Sequence, residues 1–141
     1  LFVSGQGTRI KMHDKPWLSR FKLNPERQMI ASVCSGALLL AALGLLEGKT
    51  ATTYPTTRLL LEGFGIAVEE KPFIAHGNVA TSGGCLAAQY VAGWVIEKKA
   101  DKGWKDLVLK SIQPVGEGLS FSDSAELMKL YASHPKASAV W

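Results

Sequence analysis

At 141 residues and 15.2 kDa the chain is about one domain long. Its 47% hydrophobic and 20% charged residues, with a mean hydropathy of +0.09, exclude a long disordered tract and predict a cored globule. Sixteen Lys and Arg outnumber twelve Asp and Glu, but the densest basic stretch, Glu97-Lys98-Lys99 followed by Ala100-Asp101-Lys102, interleaves acids. It reads as a solvated helix end, which argues against nucleic acid as a partner.

In chain order, Leu1–Ser4 is a short apolar run, a predicted strand that enters a tight turn at Gly5-Gln6-Gly7. Pro16–Leu23 carries Trp17, Leu18, Phe21 and Leu23 at helical spacing and predicts an amphipathic helix. Arg27–Val33 reads as a second strand, broken by Cys34-Ser35-Gly36. Ala37–Leu46, made almost wholly of strong helix formers, predicts a helix that closes near Gly48. Lys49–Thr53 is short and β-branched. Pro55 opens a helix that runs to about Gly63.

Ile66–Glu69 and Phe73–Ala75 read as short strands. His76-Gly77-Asn78 reads as a hairpin turn between Phe73–Ala75 and Val79–Thr81. Ser82-Gly83-Gly84 leads into an apolar helix from Cys85 to about Lys98, and a further helix is predicted over Lys102–Lys110. The tail from Ser111 holds one helical stretch around Ala125–Tyr131. Strands alternating with helices predict an α/β fold with a mainly parallel sheet. Burial of such a sheet on both faces accounts for the near-continuous apolar runs Leu1–Val3 and Ile30–Val33. The whole of 1–141 is read as one domain, with its core over 1–112 and a tail over 113–141.

Two cysteines, Cys34 and Cys85, make no disulfide framework, and their use fits a reducing compartment. No Cys/His spacing suggests a metal, and no cofactor is expected. The longest apolar run, Gly36–Leu46, is too short to cross a bilayer, so no membrane partner is expected. No signal-peptide pattern opens the sequence, which points to the cytoplasm. Since Leu1-Phe2-Val3 already reads as a buried strand, the sequence is expected to be a fragment.

The junction strand–Cys34–helix is the sharpest chemical feature. A nucleophile on a tight strand-to-helix turn lies at the carboxyl end of the sheet, where α/β folds bind ligands. Ser32, Ser35 and Gly36 are small enough to let the chain make that turn, and a helix N-terminus beneath the sulfur favours the thiolate. The same residue also reads as a small buried hydrophobe, the usual fate of a free cysteine. Gly5, Gln6 and Gly7 end a neighbouring strand. Their backbone N–H groups can join that of Ser35 in an oxyanion hole, or the segment is an ordinary glycine turn. Cys85 is expected in the core, and His13, His76 and His134 at the surface.

Three segments resemble one family in the same order along the chain. Val33-Cys34-Ser35-Gly36-Ala37-Leu38-Leu39-Leu40-Ala41, with Gly44-Leu45-Leu46 and Gly48-Lys49-Thr50-Ala51-Thr52-Thr53 behind it, resembles the DJ-1/PfpI superfamily, nearest its isonitrile hydratase-like branch. Asn78-Val79-Ala80-Thr81-Ser82-Gly83-Gly84 is similar to the family's second helix start. Leu1–Arg9 is similar to its first glycine turn. The resemblance covers roughly Leu1 to Lys98. It implies a flavodoxin-like three-layer α/β sandwich, here without its first strand–helix–strand unit, and a homodimer or higher oligomer.

The resemblance also makes Cys34 the nucleophile that attacks an isonitrile carbon, with Ser35 assisting in place of the more usual Thr. An acidic residue handles the proton, on a segment that precedes the equivalent of Leu1 and is absent from this sequence. Ser35 stands where peptidase-like members carry His, which argues against a Cys–His peptidase. Tyr54 takes the place of a His that follows two threonines in other members. The expected function is therefore a Cys34-dependent hydratase or lyase acting on a small-molecule electrophile, with Ser35 catalytic and Gly5, Gln6, Gly7 and Tyr54 around the substrate. The alternative is a non-enzymatic module in which Cys34 senses oxidants or binds a small ligand.

Overall fold

A computed structural model of the chain describes residues 1–132. The expected surface position of His134 lies outside the described residues. The chain divides into two compact units, Leu1–Ala92 and Gly93–Trp141.

The first unit is built on three hydrogen-bonded strands. β1 (Ile30–Val33) pairs in parallel with β5 (Val79–Ser82), and β5 pairs antiparallel with β4 (Phe73–His76), giving the order β1-β5-β4. The β4–β5 register sets His76 opposite Val79, so Gly77-Asn78 forms a two-residue hairpin turn. Gly77 supplies the positive φ of 61° that such a turn requires. His76 therefore closes the strand rather than sitting in the turn. A separate parallel pair joins β2 (Thr50–Ala51) to β3 (Ala67–Val68).

The expected strand at Leu1–Ser4 shrinks to a single parallel bridge between Phe2 and Ser32. Phe2 N–H donates to the Ala31 carbonyl and Val33 N–H to the Phe2 carbonyl, at 2.8 and 2.9 Å. The turn that follows winds into a helix not predicted from the sequence, α1 (Thr8–Lys11). The amphipathic helix expected over Pro16–Leu23 is one turn, α2 (Lys15–Leu18), capped by the Asp14 carboxylate on Trp17 N–H at 3.0 Å. Beyond it the N–H groups of Arg20 and Phe21 reach back only three residues, to the Trp17 and Leu18 carbonyls at 3.3 and 3.1 Å, so the chain tightens out of the α-helix.

Helix α3 (Ala37–Ala42) leaves β1 through the 3-10 turn Cys34–Gly36. It stops at Gly44, not near Gly48. Gly44 takes φ 74°, its N–H donates to Ala41, and Leu45 N–H reaches back to Leu40 at 3.0 Å. This paired closure satisfies the last carbonyls of the helix, and Gly44 provides the left-handed residue it needs. Pro55–Thr57 and α4 (Arg58–Glu62) follow β2, as expected.

Ile30 and Val79 lie opposite one another in the β1–β5 ladder and face the same side. On that side they join Leu38, Leu40, Leu46, Leu61 and Ile66 in one core cluster. Burying each such side chain stabilises the fold by about 1.5–3 kcal/mol. Ala31, Val33 and Ala80, on the other face of the same strands, are buried too. Burial on both faces is what makes these strands read as continuous apolar runs.

Helix α5 spans Ala88–Lys99. In the second unit it is followed by α6 (Lys102–Ser111), capped by the Asp101 carboxylate on Trp104 N–H at 2.9 Å. Gly93 admits Leu109 and Lys105 so closely that a Cβ there would stand 2.9 Å from the Leu109 side chain. A capping box of Ser120 and Asp123 opens the turn Phe121–Asp123, which runs into α7 (Ser124–Ala132). The helical stretch expected around Ala125–Tyr131 is this last helix.

Candidate active site

The parallel strands β1 and β5 end side by side, with Val33 opposite Ser82. Cys34 is the first residue beyond β1. It is the one non-glycine among the described residues with positive φ, at 58°. A side chain in this left-handed region costs about 1–2 kcal/mol, so the surrounding structure has to hold it there.

The hydrogen bonds around the elbow show how it is held. The Cys34 carbonyl accepts the N–H of Ala37 and, at 3.0 Å, the hydroxyl of Thr53. Thr53 Oγ1 lies 2.9 Å from Thr57 Oγ1, and the Thr57 hydroxyl also reaches the Tyr54 carbonyl at 2.8 Å. A carbonyl can only accept, so the Thr53 proton goes to Cys34, and the one Thr57 proton is divided between the Tyr54 carbonyl and Thr53 Oγ1. Both threonines are buried. Neither was singled out from the sequence, although Thr52-Thr53 stands in a quoted motif.

The glycine turn reaches the same place. Gly5 N–H donates to Ser35 Oγ at 3.3 Å, and that hydroxyl lies 3.5 Å from the Gly5 carbonyl. Ser35 therefore ties the turn to the elbow, and the Gly5 N–H is already engaged. The backbone N–H groups of Gln6, Gly7 and Ser35 donate to no acceptor among the described residues. Gly36 sits where the Phe2 backbone passes against it, leaving no room for a Cβ.

Cys34 itself is buried, with 7% of its surface exposed. Among the described residues no side chain hydrogen-bonds its sulfur, and no carboxylate hydrogen-bonds Cys34, Ser35 or Gly5. Tyr54 is 44% exposed. Its backbone carbonyl anchors Thr57, so it is Thr53 that touches the elbow. Cys85, expected in the core, is exposed. Gly84 takes φ 117°, and α5 does not begin until Ala88, so Cys85 stays on the connecting loop.

An open cavity of about 490 Å³ lies beyond the carboxyl ends of β2, β3 and β5. Thr52, Thr53, Arg58, Glu70, Pro72 and Gly83 are in its wall. Thr53 thus belongs both to this wall and to the support of Cys34. A Cβ on Gly83 would fall 2.7 Å from Thr52 Oγ1, so the backbone passes where a side chain cannot fit. At the rim, Lys71 and the Thr50 hydroxyl hold the Glu69 carboxyl below its ordinary range. Glu62 raises the Arg58 guanidinium in the same way. Among the described residues no cluster of three or more His, Cys, Asp or Glu is placed to hold a metal ion.

Comparison with known proteins then decides the family. The DJ-1/PfpI family model matches residues 19–98, more than half of the chain. The chain belongs to the DJ-1/PfpI family. It is 34% identical over 84 residues to the isonitrile hydratase of Pseudomonas putida, covering 59% of this chain and 37% of that protein. It is 31% identical over 91 residues to protein dj-1beta of Drosophila melanogaster, covering 64% of this chain and 45% of that one. The chain thus spans less than half the length of either curated relative.

Among solved structures, a ThiJ/PfpI family protein from Pseudomonas syringae superposes with a TM-score of 0.68 at 24% identity, covering 99% of this chain and 64% of that one. Schizosaccharomyces pombe DJ-1 gives 0.63 at 23%, covering 81% and 63%. These neighbours establish the family's α/β fold. No helix among the described residues is long and apolar enough to cross a membrane.

Proposed function

We propose that this DJ-1/PfpI protein is a cysteine-dependent hydratase or lyase that adds the Cys34 thiolate to a small electrophilic carbon such as that of an isonitrile. The observation that carries this reading is the conformation of Cys34. A strained, left-handed residue at the end of a buried parallel strand, supported from two sides, is the arrangement of a nucleophile elbow. A cysteine serving only as core filler has no need of that strain.

In the proposed reaction a bond forms between Cys34 Sγ and the isonitrile carbon, and that carbon takes a proton, giving a thioimidate. Water then adds to the same carbon, the C–S bond breaks, and an N-substituted formamide leaves with the thiol restored. The unspent N–H groups of Ser35, Gln6 and Gly7 are the donors suited to negative charge developing near the sulfur. Ser35 Oγ keeps the glycine turn beside them. The proton comes from water or from a group beyond the described residues. Tyr54 is proposed to border the substrate, and the protein to act in the cytoplasm as a homodimer or higher oligomer. Sedimentation of the purified chain tests the assembly.

The decisive experiment is turnover of a small isonitrile by the wild-type chain and by Cys34→Ala. Formamide production that survives the substitution would remove Cys34 from the mechanism. If the wild type shows no turnover while dilute peroxide adds one oxygen to Cys34, oxidant sensing replaces catalysis as the function.

A further inference from the structure

We infer that Thr53 is a positioning residue for this site: its buried hydroxyl, by holding the Cys34 carbonyl, aims the Ser35 N–H at the oxygen or nitrogen that gains charge when the thiolate adds. The inference rests on Cys34 being the nucleophile and goes beyond it, to what orients the group opposite that nucleophile. Its basis is the peptide unit between Cys34 and Ser35. That unit is planar and trans, so its C=O and N–H point in opposite directions and turn together. Whatever fixes the carbonyl fixes the N–H.

Two donors fix the carbonyl: the Ala37 N–H, inside the turn, and Thr53 Oγ1 at 3.0 Å, from 19 residues away in sequence. The first belongs to the local 3-10 geometry and would tolerate rocking of the peptide about the chain axis. The second comes from outside the turn and stops that rocking. Thr53 is itself held, through Thr57 Oγ1 at 2.9 Å, and Thr57 is fully buried. At the other end of the peptide unit the Ser35 N–H has no acceptor among the described residues. A preorganised and unspent N–H at this point gives charge stabilisation with no rearrangement during the reaction.

The test separates aiming from general support by using two electrophiles. Both reactions are run in a Cys85→Ser background, since the exposed Cys85 thiol would react as well. With 4-nitrobenzaldehyde, Cys34 Sγ bonds to the aldehyde carbon and the C=O π pair moves onto oxygen. That alkoxide then takes a proton from water, leaving a hemithioacetal, and the aldehyde's conjugated absorbance falls as it forms. With iodoacetamide, Sγ displaces iodide and no charge develops on an oxygen beside the reacting carbon. Thr53→Val should slow the aldehyde addition about tenfold or more, less than the roughly 100- to 1,000-fold cost of losing such a donor outright, because the Ser35 N–H is misaimed and not removed. Alkylation should stay within about twofold of wild type, and Thr53→Ser, which keeps the hydroxyl, should restore the addition.

Thr53→Ala, smaller and without the second branch, is measured alongside, and either folded variant decides. Equal slowing with both electrophiles would make Thr53 structural support only and overturn the inference. So would an unchanged addition rate. A wild-type chain whose Cys34 reacts with neither probe overturns the nucleophile reading as well, a result distinct from a Thr53 variant that merely matches wild type.

Discussion

The Phe2 carbonyl lies against the α-carbon of Gly36, in the space a side chain on Gly36 would occupy. The same carbonyl accepts the Val33 N–H at 2.9 Å, so it cannot swing away without breaking the bridge that joins the N-terminal segment to β1. Gly36 is thus required by close approach, and not by backbone angle, since its φ is an ordinary −58°. Gly36→Ala is expected to cost about 1–3 kcal/mol, the usual penalty for forcing atoms into a packed site. Urea unfolding of the two proteins measures it. A variant as stable as wild type would mean that Phe2 yields freely and the bridge is weak.

Cys34 gives a second prediction, in which stability and chemistry part. Cys34→Ala and Cys34→Gly both remove the thiol, but only glycine accepts φ 58° without steric penalty. Cys34→Gly should therefore be about 1 kcal/mol more stable than Cys34→Ala, and both should be inert to alkylation at this position. The comparison is made by urea unfolding at one temperature. If the alanine variant is equally stable, the elbow is relaxed, and the argument from strain to nucleophile loses its footing.

Much of this site was legible in the sequence because it is local. A β-rich run, one cysteine followed by Ser and Gly, and a stretch of Ala and Leu broken once by Gly44 can hardly be anything but strand, elbow and helix. The hairpin at Gly77-Asn78 is local in the same sense. What escaped depends on distance or on single glycines. Thr53 meets Cys34 only because the chain after β2 returns to the carboxyl end of β1, and no periodicity shows that. Gly44 and Gly48 look equally able to end α3, yet only Gly44 is placed to receive the Leu40 and Ala41 carbonyl closure. Cys85 followed two glycines and preceded an apolar run, and the run alone suggested burial. The φ of Gly84 kept it outside the helix. Leu1–Ser4 has strand-like residues, but Phe2 alone finds a partner in the described residues.

Ser32 supports a prediction of opposite sign to that for Gly36. It lies within β1, fully buried, on the face shared with Ile30 and turned toward the core cluster, and its hydroxyl has no hydrogen-bond partner among the described residues. A buried polar group without a partner costs about 1–3 kcal/mol, while the atom lost in Ser32→Ala leaves only a small void. The variant should unfold at equal or higher urea concentration than wild type. A loss of more than about 1 kcal/mol would show that the hydroxyl contributes a hydrogen bond after all.

In the second unit, the ion pair between Lys110 and Asp123, at 2.7 Å, links α6 to the turn that opens α7. Asp123 also accepts the Ser120 N–H at 2.8 Å. The Lys110 ammonium, and after it that N–H, hold the Asp123 carboxyl below its ordinary 3.8. Asp123 in turn raises Lys110 above its ordinary 10.5. A depressed acid stabilises the fold above its unfolded value and loses that contribution as pH falls through the folded one. A raised base stabilises the fold below its unfolded value and loses that contribution as pH rises through the folded one. The pair therefore acts between these two limits. Asp123→Asn keeps an acceptor for Ser120 and removes only the charge, so it should reduce the hydrogen-exchange protection of the α6 amides near neutral pH. The difference from wild type should shrink in acid, once Asp123 is protonated in both folded and unfolded chains, and should shrink again in strong base. Both groups are partly exposed, so molar salt should narrow it as well. A difference that persists unchanged in acid would show that the effect of the substitution does not come from the Asp123 charge, and would leave Lys110 a bystander.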